Sequence, residues 1–322
     1  MAGSVLLLCF SYELTSAPFS ATHCSATMGS EGPSRKMKRN PLPSHHFCRF
    51  VKGRWGRKAI LGINVGFVNG RTVPMQSLLF AFVAMVAVCA ALALALVHHA
   101  YSAFQPWRAV GIGASVLGAI AATDLLLATS GVLSDRETLP PSVAKLLVPS
   151  VVLNLVFCLC TPTGKHLACA LPVWMLVGFQ AFRLMPEAFL HAGWSAGVLP
   201  AQTTFPPDGR NVDVIIGAIA LALGGALWWG DCEPGPVPLT LGFGLLGICS
   251  LVNIAFTAVV SLTTPLREAM APGFGDLSLV VEPPYILLPG LLVQFALAGH
   301  LLLFRRIALG EKAVRSYKWD LC

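Results

Sequence analysis

Four polar side chains interrupt an otherwise oily stretch: Gln180, Arg183, Glu187 and His191, in "GFQAFRLMPEAFLHAGW". Their spacing of three, four and four residues puts them in one stripe along a helix. An ionisable group in hydrocarbon costs several kcal/mol unless it is paired or wet, so such a stripe is a candidate for proton or solute handling. Arg183 and Glu187 stand one turn apart and are expected to form an ion pair facing the bundle interior. Pro186 removes a backbone hydrogen bond, frees the carbonyl of Phe182 and predicts a kink.

Other apolar runs carry polar groups too: Asp124, Asn154, Asn253 and Gln294, with Asp213 opening a run just after Asn211. Successive spans run in opposite directions, so position along a span converts to depth. By that reading most of these groups fall in one half of the bilayer, the outer half. The candidate ligand or proton site is Arg183, Glu187, Asp213, Asn211, Asp124, Gln180 and Asn253. Asp213 is within reach of Arg183, so the arginine can be shared between two carboxylates, and Glu187 or Asp124 can take up a proton. The plainer reading is that Arg183 and Glu187 neutralise each other while the amides hold helices together.

His191 reads as an interfacial histidine, and His98, His99 and His300 fall near the opposite face. No HxxxH or HExxH spacing supports a metal or haem, and no cofactor is expected. The ten cysteines are scattered, without redox or zinc spacing, and imply no disulfide framework.

These side chains need a scaffold. The 322 residues are 55% hydrophobic and 11% charged, where soluble domains carry about 25% charged residues. Mean hydropathy is +0.72. Seven apolar runs stand out, at about 76–97, 109–132, 146–162, 169–190, 213–230, 238–262 and 284–304, against roughly 20 residues needed per span. The fold class expected is all-α, a polytopic transmembrane helical bundle of about seven spans. A barrel would show ten-residue alternation, which is absent.

Residues 1–74 are a different material, with a net charge of +8 against −1 for the rest. Two readings stay open: a disordered basic arm that meets anionic lipid or nucleic acid, or an extension ahead of a native start at Met75. From Met75 onward, one side receives Arg108, Lys165, Arg305, Arg306, Lys312, Arg315 and Lys318; the other receives Arg136, Lys145, Arg210 and Arg267. That asymmetry puts the C-terminus in the cytoplasm. Seven spans then put the N-terminus outside, where a +8 arm is disfavoured, which favours Met75. The expected division is an arm 1–74, a membrane domain 75–306 and a short basic tail 307–322.

The segments "FRLMPEAFLH", "GVLPAQTTF" and "GRNVDVIIG" resemble a family of uncharacterised bacterial multi-pass membrane proteins. Its pattern is R-x-x-x-E-x-x-L-H followed by P-x-x-M-T-F-x-G-R-N-x-D. "NIAFTAVVSLTTPLR" and "LLPGLLVQFALAGHLLLFRR" resemble its last two spans. The likeness runs from about 75 to 306 and departs at Thr203, in place of Met, and at Pro206–Pro207. It implies that Arg183, Glu187, Thr204, Phe205, Gly209, Arg210, Asn211 and Asp213 belong to one motif, in the cytoplasmic membrane of a bacterium. It carries no activity.

Three function classes compete. A transporter or permease for a small polar solute or ion fits the buried charges best, although no inverted repeat is visible. A non-catalytic membrane subunit or sensor is the alternative, but a retinal chromophore needs a buried lysine in the last span, and 284–304 has none. An intramembrane enzyme comes third: there is no GxSG and no catalytic aspartate pair. The partners expected are the bilayer and a small polar solute or ion, without nucleic acid.

Overall fold

The computed structural model describes residues 65–68, 71–103, 105–207, 209–230 and 237–319. All of them fall in the second of two compact units, Ile63–Cys322. The arm expected over 1–74 therefore lies mostly outside the described residues. Its described part, β1 (Val65–Val68) and β2 (Arg71–Pro74), forms an antiparallel hairpin with Val65 opposite Pro74.

Everything else described is helix, 3-10 turn, π turn or loop. The helices are α1 (Met75–Ala100), α2 (Pro106–Thr129), α3 (Ala144–Leu155), α4 (Pro162–Ala170), α5 (Val173–Phe179), α6 (Leu184–Ser195), α7 (Asp213–Trp229), α8 (Val237–Leu262), α9 (Thr264–Met270) and α10 (Val293–Trp319). A π turn, Val156–Cys160, extends α3, and another, Leu288–Leu292, leads into α10. Gly310, at φ 71°, breaks α10 near its end.

Four helices are long and apolar enough to cross a membrane: α1, α2, α8 and Leu288–Glu311. The bent pair α3–α4, with 67° between its parts, makes up to five. All seven apolar runs fall largely on helix, but three lack a single helix of spanning length: 146–162, on the bent pair, and two others. The run 169–190 is divided among α4, α5, a 3-10 turn at Gln180–Arg183 and α6, while α7 has only 17 residues.

The local reasons are readable. "TPTGKH", which falls largely between the third and fourth apolar runs, is the start of α4. Thr161 caps it by accepting from the Gly164 N–H at 3.0 Å, and Pro162 takes the first helical position. The 3-10 turn ends where Pro186 would collide with the carbonyl of Phe182, four residues back.

Two ends of the bundle are tied differently. At one end the loops 130–143, 196–212 and 263–277 interlock. Arg136 pairs with Asp276 at 2.7 Å, and its carbonyl accepts from the N–H of Thr264 at 2.9 Å. The Gln202 amide both donates to and accepts from the Gly275 backbone, at 2.7 and 3.2 Å. At the other end Arg305 donates to the carbonyls of Cys158 and Thr161, at 2.7 and 2.9 Å, and Arg306 to that of Cys169 at 2.8 Å. These arginines tie α10 to the bend between α3 and α4 and to the C-terminal end of α4.

Between the ends, Phe82, Phe189 and Tyr285 pack ring to ring at 5.0–5.9 Å and join α1, α6 and the segment before the second π turn. The outward faces are apolar: Trp107, Ile112, Val116 and Leu126 of α2 and Trp229 of α7 are exposed. Long apolar helices with apolar outer faces are compatible with a membrane protein.

Candidate functional site

α7 begins in the middle of the bundle. Asp213, its first residue, accepts a hydrogen bond from Ser250 of α8. Ser250 stands about 18 Å from the Leu262 end of α8 and about 20 Å from Val237, at 1.5 Å per residue. The loop 196–212 therefore reaches inward to mid-depth, which is why α7 is short. A helix N-terminus there presents unpaired N–H groups and the positive end of its dipole. Asn211 meets one of those groups, accepting from the Asp213 N–H at 3.1 Å.

Arg183, 2% exposed, forms an ion pair through Nη2 with Asp213. This corrects the expected Arg183–Glu187 pair. Arg183 ends the 3-10 turn at Gln180–Arg183, and its guanidinium reaches across to α7 rather than along α6. Glu187 instead accepts from Nδ2 of Asn211 at 2.5 Å, and the same amide donates to the Thr203 carbonyl at 3.3 Å. Among the described residues no cation forms a salt bridge with Glu187.

Gln180, fully buried, donates through Nε2 to the Ala296 carbonyl at 3.1 Å. Arg183 Nη1 lies 3.2 Å from Nε2 of His300. A guanidinium only donates, so Nε2 accepts and the imidazole proton sits on Nδ1. The ring has room because α8 carries glycine at 247; any Cβ there would collide with it. Three atoms of this buried cluster then have no hydrogen-bond partner: the donors Arg183 Nε and His300 Nδ1, and the acceptor Gln180 Oε1.

Of the expected site residues, Arg183, Asp213, Glu187, Asn211 and Gln180 are brought together. Asn253 is not among them: it donates to the Arg210 carbonyl at 2.8 Å and holds the loop. Asp124 stands apart, buried against Gly290. His191 is exposed and packs on Trp194, ring centroids 5.3 Å apart. The sequence reading missed Ser250, and placed His300 near the far face. The last helix continues past 304 to Glu311, which moves His300 to mid-depth. A histidine on the helix facing Gly247 and Ser250 was the available signal.

Fold and site together describe, among the described residues from Met75 onward, a helical unit with several membrane-length apolar helices around a buried charged cluster. Compared with known proteins, the chain matches no protein-family description, no curated protein and no solved structure.

Proposed function

We propose that this chain is a seven-span protein of the bacterial cytoplasmic membrane, with its C-terminus in the cytoplasm, and that it binds and moves a small polar solute or ion. The broken segments then count as spans: α3 with α4, α5 with α6, and α7 completed by its inward loop. Charge distribution supports the orientation. Lys165, Arg305 and Arg306 belong to the end where the third span breaks, while Arg136, Arg210 and Arg267 belong to the loop-rich end.

One observation carries the solute reading: a helix N-terminus at mid-depth, beside an ion pair, with two donors and one acceptor left over. Arg183 Nε and His300 Nδ1 suit an oxygen-bearing group such as a carboxylate or amide, and Gln180 Oε1 suits an N–H or O–H on the same molecule. The resemblance of the "RLMPEAFLH" and "GRNVD" segments to bacterial multi-pass proteins accords with a shared motif around this cluster.

The test is thermal stabilisation of the purified full chain against a panel of small polar metabolites and ions. A ligand at 100 times its Kd stabilises the folded state by about 2.7 kcal/mol. At least one panel member should raise the melting temperature, and the rise should vanish in Arg183→Met/Asp213→Leu. A rise undiminished in that variant contradicts the site, and a panel with no effect contradicts the reading.

A further inference from the structure

α2 buries one of its 24 residues, and that residue is Asp124, at 3% exposure. The rest of the helix is mostly apolar, with Arg108 near its start, and faces outward or lies half-buried. Asp124 makes no hydrogen bond and no ion pair among the described residues, and its Oδ2 is fully enclosed. The carboxylate lies over Gly290, so close that any Cβ at 290 would collide with it. Gly290 belongs to the π turn Leu288–Leu292, preceded by Pro289, in the last span. π turns inside helices are frequent at functional sites.

The surroundings hold no counter-charge. α1, packed against α2, offers Cys89 as its buried titratable group and carries His98 and His99 at its far end. The π turn has no titratable side chain, and Tyr285 with exposed Glu282 precedes it. α2 itself adds only Arg108, about 24 Å away along the helix. A buried carboxylate without donors is unstable as an anion.

The geometry points to a second site, separate from the Arg183 cluster: Asp124 against Gly290 is a proton-binding carboxyl. A proton from water adds to a carboxylate oxygen to give the neutral acid, and leaves to water on deprotonation. The inference does not depend on the solute reading, because no residue is shared between the two sites.

Infrared difference spectroscopy of the full chain tests it. Glu187→Gln serves as the background, so that Glu187 contributes no carboxyl band. A protonated-carboxyl C=O band should be present at neutral pH, disappear at alkaline pH, and be absent in Glu187→Gln/Asp124→Asn. It should also persist in Arg183→Met/Asp213→Leu, so failure of the solute reading leaves it in place. Gly290→Ala should shift the band and lower the melting temperature by several degrees, with Asp124→Ala restoring the latter. This second variant decides the matter even where Asp124→Asn does not fold. Three results overturn the proposal: no band that depends on Asp124, a band that never titrates up to about pH 10, or a band removed by sodium at constant pH. A Gly290→Ala variant that alters neither band nor melting temperature overturns it as well.

Discussion

Asp213 and Asp124 are both buried carboxylates in apolar helices, and their surroundings differ in kind. Asp213 stands at a helix N-terminus with a guanidinium and a hydroxyl directed at it. Asp124 stands late in a helix, over a glycine, with neither. Position on the helix explains the difference. At a first turn the backbone leaves N–H groups free and a loop can bring donors inward. Near the other end of a regular helix the backbone is already paired, and only neighbouring side chains can help. The first carboxylate has a cation and a donor as partners; the second has neither. One arrangement suits orienting a ligand, the other binding and releasing a proton.

The largest effect should come from removing the arginine. Arg183→Ala leaves Asp213 buried without a cation, and is expected to cost about 3–5 kcal/mol in chemical unfolding of the purified protein. Gly247→Ala comes next, because the added methyl meets the His300 ring; overpacking of this kind costs about 1–3 kcal/mol. Arg305→Ala should cost a similar about 1–3 kcal/mol by leaving the Cys158 carbonyl without its arginine donor and the Thr161 carbonyl with the Lys165 N–H alone, and proteolysis at the bend between α3 and α4 should speed up. Glu187→Gln keeps an acceptor for Asn211, so its stability change should stay within about 0.5–1 kcal/mol while ligand-dependent stabilisation falls.

The smallest effect lies outside the membrane. The Thr138 hydroxyl and the Glu137 N–H hold the Asp135 carboxyl below its ordinary 3.8. A depressed folded value means that Asp135 stabilises the loop fully above pH 3.8 and loses that contribution as pH falls through the depressed value. Asp135→Asn should flatten the acid limb of melting temperature against pH and leave the neutral region unchanged.

Much of this was legible in the residues. Apolar run length located the long helices but not α4 or α9, and alternation of direction put Arg183, Glu187 and Asp213 at similar depth. What was not legible depended on helix packing and on departures from regular helix. Arg183 takes its partner from α7 rather than from Glu187 one turn on, and which of two carboxylates in reach is paired depends on how the helices pack. Thr161–Pro162 restarts a helix inside what composition marks as a loop. His300 changed depth because polar residues after 304 continue the same helix, and hydropathy ends a span where the helix does not end. Asp124 was found as an intramembrane acid, but its isolation depends on Gly290 lying opposite, a tertiary fact.

The account rests on Arg183 pairing across to α7 rather than along its own helix. A double-mutant cycle measures that directly, using Arg183→Met, Asp213→Leu and both together in the unfolding of the purified full chain, with Glu187→Leu run in parallel. The Arg183–Asp213 cycle should show a coupling of about 2–3 kcal/mol and the Arg183–Glu187 cycle well under half of that. A larger coupling to Glu187, or none to Asp213, would contradict the account.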